Sequence, residues 1–234
     1  MNFTIEHLKK SYATKEVLKD ITFTFKPGHI YALLGRNGAG KTTLFNCING
    51  DIDTSGGTWY LSDENGNKRD LLPEDLGYVI SEPMVPEFLT GREFVKFYID
   101  VNKKHIKNLR SIDEYLASVA ISPEDSNRLM KEYSHGMRNK MQMLINFISE
   151  PPVLLLDEPL TSLDVVVAEE MKDILRSMKG DSIILLSTHI MDLALDLCDE
   201  IVLLNHGVLT ALSRDELGTE DFRARIIEAL KEEG

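Results

Sequence analysis

The residues with most chemistry in this 234-residue sequence are consecutive: Gly35-Arg36-Asn37-Gly38-Ala39-Gly40-Lys41-Thr42, a G-x-x-x-x-G-K-[ST] pattern. Glycines let a backbone curl until successive N–H groups point inward, and a helix starting at the loop's end adds partial positive charge. A triphosphate fits such a nest, with the Lys41 ammonium reaching the outer phosphates and the Thr42 hydroxyl placed to ligate Mg2+. Hydrolysis needs a second, acidic centre. Val153-Leu154-Leu155-Leu156 is an apolar strand that ends in Asp157-Glu158-Pro159. There Asp157 suits a metal held through water, and Glu158 suits a general base that polarises an attacking water. Thr188-His189 follows another apolar strand, Ile183 to Ser187, where a histidine could donate to the terminal phosphate and orient that water.

These side chains must be delivered to one place by the fold. Ile30 to Leu34 is an apolar run before the glycine loop, and Thr43 to Ile48 has helical spacing before a stop at Asn49-Gly50. From Val153 onward, strands and helices alternate: Asp164 to Met178, Ser182 to Ser187, Ile190 to Leu197 and Ile201 to Leu204, then a short strand from Val208 to Leu212. That alternation predicts right-handed β-α-β crossovers and a mostly parallel sheet, whose C-terminal edge gathers ligands. Phe3 to Leu8 and Val17 to Phe25 alternate apolar and polar residues, which predicts an antiparallel pair, with Ser11-Tyr12-Ala13-Thr14 as the loop between them. Thr58 to Leu61 and Gly77 to Ile80 read as further strands around the loop Asp63 to Asn67.

Between Leu89 and about Glu132 the pattern becomes helical. Thr90-Gly91-Arg92-Glu93 and Ser111-Ile112-Asp113-Glu114 have capping-box spacing; Phe94, Phe97, Tyr98 and Val101 are expected to line one face behind the first. A third helix is expected from about Gly136 to Ser149, and a charged terminal helix from Asp221 to Glu233. Thr161 to Asp164 also has capping-box spacing.

Composition narrows the class. A formal net charge of −12 argues against broad nucleic-acid binding, which needs lysine and arginine to neutralise phosphates. No apolar run approaches the roughly 18 residues needed to span a bilayer. The two cysteines, Cys47 and Cys198, sit in apolar helical patterns, which points to core thiols and a reducing cytoplasm.

Between the phosphate loop and the acidic strand lies Tyr133-Ser134-His135-Gly136-Met137, at a helix start. It is similar to the L-S-G-G-Q signature of the ATP-binding subunits of ABC transporters, and the resemblance covers essentially the whole chain. The resemblance implies an α/β P-loop NTPase: a mostly parallel sheet, an N-terminal antiparallel β subdomain and an inserted α-helical subdomain. It divides the chain into an ATP-binding core, 1–88 and 150–234, and a helical part of about 89–149. It implies an ATPase that takes ATP and Mg2+, pairs with a second copy or a homologous ATPase around two nucleotides, and drives a separate membrane permease from the inner face of the cell membrane. The brief helical region and the Y-S-H-G-M segment look more like exporters than importers. A soluble ABC ATPase acting in cofactor or complex assembly is the alternative.

The resemblance also carries residues. Tyr12 stands where an aromatic stacks on adenine. The phosphate loop from Gly35 through Thr42, with Thr43 next on the helix, holds the nucleotide. Ser134 and Gly136 close over the opposite subunit's γ-phosphate, Leu163-Asp164 lies in the loop between the two sites, and His189 is the switch histidine. Met84, Val85, Phe88 and Leu89 are candidates for permease contact. Two positions depart from the pattern. Ser81 stands where a glutamine usually touches Mg2+, so either Glu82 takes that place or the contact runs through water. His135 and Met137 replace the usual glycine and glutamine.

Overall fold

Alternating apolar and polar residues turn one face of a strand inward and the other toward water. Asn2–Tyr12 (β1) and Lys15–Phe25 (β2) do this, burying Phe3, Ile5, Leu8, Leu18, Ile21 and Phe25, and pair as an antiparallel hairpin. Ser11 and Tyr12, expected in a loop, are instead the last rungs of that ladder, opposite Glu16 and Lys15. The hairpin's backbone pairing extends past the point where side chains signal a strand. His29–Leu34 (β3) runs into the glycine loop, and Lys41–Asn49 (α1) begins at the loop's end. Gly56–Ser62 (β4) pairs with β1, and Lys68–Arg69 (β5) with β4, giving a four-stranded sheet in the order β2-β1-β4-β5. The computed structural model describes residues 1–161, 163–212, 226 and 228.

Leu76–Val79 (β6) is followed by four helices: Gly91–Asn102 (α2), Ile112–Ser118 (α3), Pro123–Ser126 (α4) and His135–Ser149 (α5). Both expected capping boxes form. Thr90 Oγ1 accepts from Glu93 N at 3.2 Å while Thr90 N donates to the Glu93 carboxylate at 2.9 Å; Ser111 and Glu114 repeat this at 3.2 and 2.8 Å. The face expected of α2 is corrected. Val95 and Ile99 are its buried large residues, Phe94 and Tyr98 are half-buried, and Phe97 and Val101 face solvent at 61% and 65% exposure. Helical periodicity fixed the stripe's spacing, but packing on α3 and α5 selected the neighbouring stripe. The short α4, capped by Ser122, was not expected.

Val153–Asp157 (β7), Val165–Met178 (α6), Ile183–Thr188 (β8), Met191–Leu197 (α7), Glu200–Asn205 (β9) and Val208–Leu212 (β10) complete the order. The second sheet runs β10-β9-β3-β8-β7-β6, parallel throughout except for β10 against β9. Its central strands are apolar at nearly every position because both faces are covered. One face packs with the first sheet around Leu44, Phe45 and Ile48 of α1; the other packs with α5 and α6. The helix expected over 221–233 falls outside the described residues, apart from Glu228 and Ile226; the latter is buried beside Leu34, Ala194 and Leu203.

The α5–β6 contact depends on Gly77. A Cβ there would overlap the Asn146 side-chain oxygen and come within 2.9 Å of Leu154 Cδ1 and 3.0 Å of Pro151 Cγ. Gly77→Ala is therefore expected to lower stability by about 1–3 kcal/mol. Denaturant unfolding followed by circular dichroism checks this; an unchanged midpoint would mean that α5 gives way without cost.

Candidate functional site

Parallel strands deliver the site's loops to one edge. In register, Leu34 at the end of β3 lies opposite Thr188 of β8, and Asp157 at the end of β7 lies opposite Ser187. The glycine loop, Asp157-Glu158 and His189 leave the sheet together. β6 runs parallel beside β7 and sends Ser81-Glu82 out the same way.

The glycine loop turns into α1 at Gly40, whose φ of 106° is left-handed; a Cβ there would also lie 2.9 Å from Val17 Cγ1. Glycine meets both demands at least cost. Lys41 is 6% exposed, and its Nζ donates to Gly35 O at 2.8 Å and to Arg36 O at 3.3 Å. The same ammonium lies 3.6 Å from Glu158 Oε1. Arg36, Asn37 and Gly38 are exposed, while Ala39 and Thr43 are half-buried.

Thr42 Oγ1 donates to Asp157 Oδ2 at 2.7 Å, which joins the helix start to the acidic strand. Ser187 Oγ donates to the other Asp157 oxygen at 2.5 Å and accepts from Glu158 N at 3.1 Å. Sequence reading missed Ser187. One serine in the apolar run of β8 carries no periodic signal, and only the register with β7 gives it meaning. Glu158 has φ 51°, a left-handed backbone that costs a non-glycine residue about 1–2 kcal/mol. That twist turns its carboxylate out of the strand toward Lys41, His189 and Thr161. His189 Nδ1 lies 3.0 Å from both Glu158 oxygens, and Thr161 Oγ1 donates to Oε2 at 3.0 Å. Thr161 is thus spent on Glu158, and Asp164 itself caps α6, accepting from Val166 N at 3.0 Å and Val167 N at 3.1 Å. The capping-box reading of Thr161 to Asp164 is corrected accordingly.

Among the described residues no group of three or more His, Cys, Asp or Glu side chains could hold a metal. Thr42 and Asp157 offer one hydroxyl and one carboxylate, hard oxygen donors of the kind that suit Mg2+ completed by water and phosphate oxygens. Beside them, burial and the Asp157 and Asp51 carboxylates push the Tyr78 hydroxyl well above its usual pKa; it donates to Asn46 Oδ1 at 2.9 Å.

A cleft of about 360 Å³ is lined by Asn37, Ser81, Glu82, His135, Glu158, Thr161 and His189. Ser81 and Glu82 therefore both line the cleft that Glu158 lines. Other expected residues stand apart from it. Tyr12 is 47% exposed at the β1–β2 hairpin end, with the Lys10 ammonium 4.7 Å from its ring centre. Ser134 caps α5 by accepting from Met137 N at 3.2 Å. Gly136 is buried, and a Cβ there would lie 3.0 Å from Val167 Cγ1 of α6. Its small size serves helix packing. Of the apolar residues before α2, Met84 and Phe88 are exposed, whereas Val85 and Leu89 pack against the core.

The family model described as ABC transporter matches residues 18–161. The chain is 34% identical over 205 residues to the uncharacterised ABC transporter ATP-binding protein MJ1023 of Methanocaldococcus jannaschii, covering 87% of this chain and 74% of that one. It is 29% identical over 223 residues to the lantibiotic transport ATP-binding protein SrtF of Streptococcus pyogenes, covering 93% and 92%. Among solved structures, an ATP-binding subunit of an ABC transporter superimposes with a TM-score of 0.79 at 23% identity, over 97% of this chain and all of that one. The ATP-binding cassette MJ0796, solved as a dimer in a post-hydrolysis state with ADP and Pi, superimposes at 0.74 and 20% identity, over 91% and 98%.

Proposed function

This chain belongs to the ABC transporter ATP-binding family, and from that premise we propose that it dimerises around two Mg-ATP and powers a separate membrane permease, as an exporter. It is an ABC ATPase; the fold is that of a P-loop NTPase. The observation that carries the reading is the convergence of Lys41, Thr42, Asp157, Glu158 and His189 at one sheet edge, tied together by contacts of 2.7 to 3.6 Å.

In this reading Lys41 and the loop's N–H groups hold the β- and γ-phosphates, and Thr42 and Asp157 hold Mg2+, which offsets charge on the transferring phosphoryl group. Glu158 takes the proton from the attacking water. His189 already faces Glu158 through Nδ1, so its Nε2 is the nitrogen left for the γ-phosphate. Tyr12 stacks on adenine, and Ser134, Gly136 and Asp164 meet the nucleotide of the opposite subunit. Ser81, shorter than the glutamine usual at this place, would serve the metal through water.

Residues 1–88 and 150–234 form the ATP-binding core in this scheme, and about 89–149 the helical part that meets the permease. Exposed Met84 and Phe88, at 77% and 78%, support that docking face. No helix among the described residues is long and apolar enough to cross a membrane, so the reading places the chain peripherally on the inner face. The short helical region favours export.

Light scattering tests the pairing. A Glu158→Gln chain is expected to be monomeric without nucleotide and to double in mass with Mg-ATP. A persistent monomer that still binds ATP would remove self-pairing and require a different ATPase as partner.

A further inference from the structure

The connection between α2 and α3 gathers positive charge in a chain whose formal net charge is −12. No acid stands between Asp100 and Asp113, and Lys103, Lys104, Lys107 and Arg110 fall close together there. A charged run is ordinarily a solvated face with no fixed shape. This one is pinned. Asn102 O accepts from His105 N at 2.8 Å, and Ile106 packs against the core. The hydroxyl of buried Tyr115 donates to Asn108 O at 2.8 Å and accepts from Arg110 N at 3.2 Å. Arg110 lies over the Phe147 ring, 5.4 Å from its centre. The three lysines are exposed and make no ion pair among the described residues. Cations on the helix before them are paired, Lys96 with Asp100 at 2.5 Å and Arg92 with Asp113. Glu150, which lines two neighbouring clefts together with Lys107, is met by Asn108 Nδ2 at 3.5 Å instead.

Cations on a loop that is already ordered lose little freedom when they meet fixed negative charge. Apolar side chains border these lysines along the chain: Val101 is 65% exposed and Leu109 54%. Lysines with exposed aliphatic neighbours match a bilayer surface, where phosphates take the cations and the acyl boundary takes the apolar groups. An acidic peptide would answer the lysines alone. The net charge of −12 opposes approach to an anionic surface, but such fields fade over about 8 Å at physiological ionic strength. At contact, the local lysines decide.

We propose that the segment 103–110 docks on the anionic phospholipid headgroups of a bilayer through Lys103, Lys104 and Lys107. The inference rests on the reading that the helical part meets a membrane permease, and it adds the lipid surface as a second partner of that part.

The test is sedimentation of the full chain with vesicles of phosphatidylglycerol mixed with phosphatidylcholine, and of phosphatidylcholine alone. The parent chain is expected to sediment with the anionic vesicles, less so as salt rises, and not with the neutral ones. Lys103→Gln, Lys104→Gln and Lys107→Gln combined are expected to weaken partitioning about 100-fold, roughly 5-fold for each charge lost. Arginine at all three positions is expected to keep partitioning within about twofold of the parent, since the charge is retained. The same change to glutamine at exposed Lys9, Lys26 and Lys131 is expected to have less than about a twofold effect. An equal loss from that control would make net charge the cause and overturn the proposal. So would equal binding to neutral vesicles, or no binding to anionic ones. Capture of polyglutamate without capture of vesicles would assign the segment to an acidic protein and overturn the lipid assignment. No permease is present in the assay, so a negative result leaves the permease reading standing. ATP hydrolysis on the same preparations, expected to be unchanged by the three glutamines, reports on the ATPase reading separately.

Discussion

Lys41→Ala is expected to reduce ATP hydrolysis to background and to weaken nucleotide binding by about 10- to 100-fold, the scale of one or two lost charge-assisted hydrogen bonds. The ammonium lies almost wholly buried between the Gly35 and Arg36 carbonyls and the Glu158 carboxylate. It is the cation at the centre of the loop, and alanine has nothing to offer a γ-phosphate. A second effect accompanies the first, since Glu158 loses its opposite charge and the Gly35 carbonyl loses a donor. A modest drop in stability should therefore appear beside the catalytic loss. Phosphate release and nucleotide titration on the same preparation, with a circular dichroism melt, separate the two effects. Turnover near that of the parent chain would remove Lys41 from the site.

Glu158→Gln is expected to slow hydrolysis by about 10²- to 10⁴-fold, the usual worth of a positioned base, while ATP affinity is kept. Glutamine has the same length and can accept from Thr161, but it cannot take a proton from water. The left-handed backbone at this position is anchored through the residue's own N–H, which donates to Ser187. The substitution therefore leaves the turn in place and removes only the basic oxygen. Single-turnover hydrolysis and equilibrium binding measured together decide the matter. Slow hydrolysis with intact binding assigns the base; parent-like hydrolysis would move that role to another group facing the cleft, with Glu82 the first candidate.

The phosphate loop, the acidic strand end and the capping boxes were legible because each is a contiguous run whose function is carried by backbone geometry or by neighbours three residues apart. The parallel sheet was legible from alternation of elements, again a property of order along the chain. What escaped depends on distant partners. Ser187 matters only because β8 lies in register with β7, which brings it opposite Asp157 across thirty positions of sequence. The buried face of α2 was misassigned because two adjacent apolar stripes, one through Phe97 and Val101 and the other through Val95 and Ile99, have the same period. Ser11 and Tyr12 were misplaced because a hairpin ladder can carry polar residues that would not form a strand alone. The packing of Gly136 against Val167 of α6 was likewise invisible in sequence, because it joins two helices that are separate along the chain.

The Ser187 hydroxyl has a mechanical consequence. One oxygen atom is bonded at once to the carboxylate of Asp157 and to the backbone of Glu158. Two acids are thereby tied to a single bracket carried by β8, Asp157 through its carboxylate and Glu158 through its main chain. A shift of that strand carries the Asp157 carboxylate and the Glu158 main chain together, while the Glu158 carboxylate keeps partners of its own in Lys41, His189 and Thr161. A change in any of those partners is then expected to move the Glu158 carboxylate while Asp157 keeps its place.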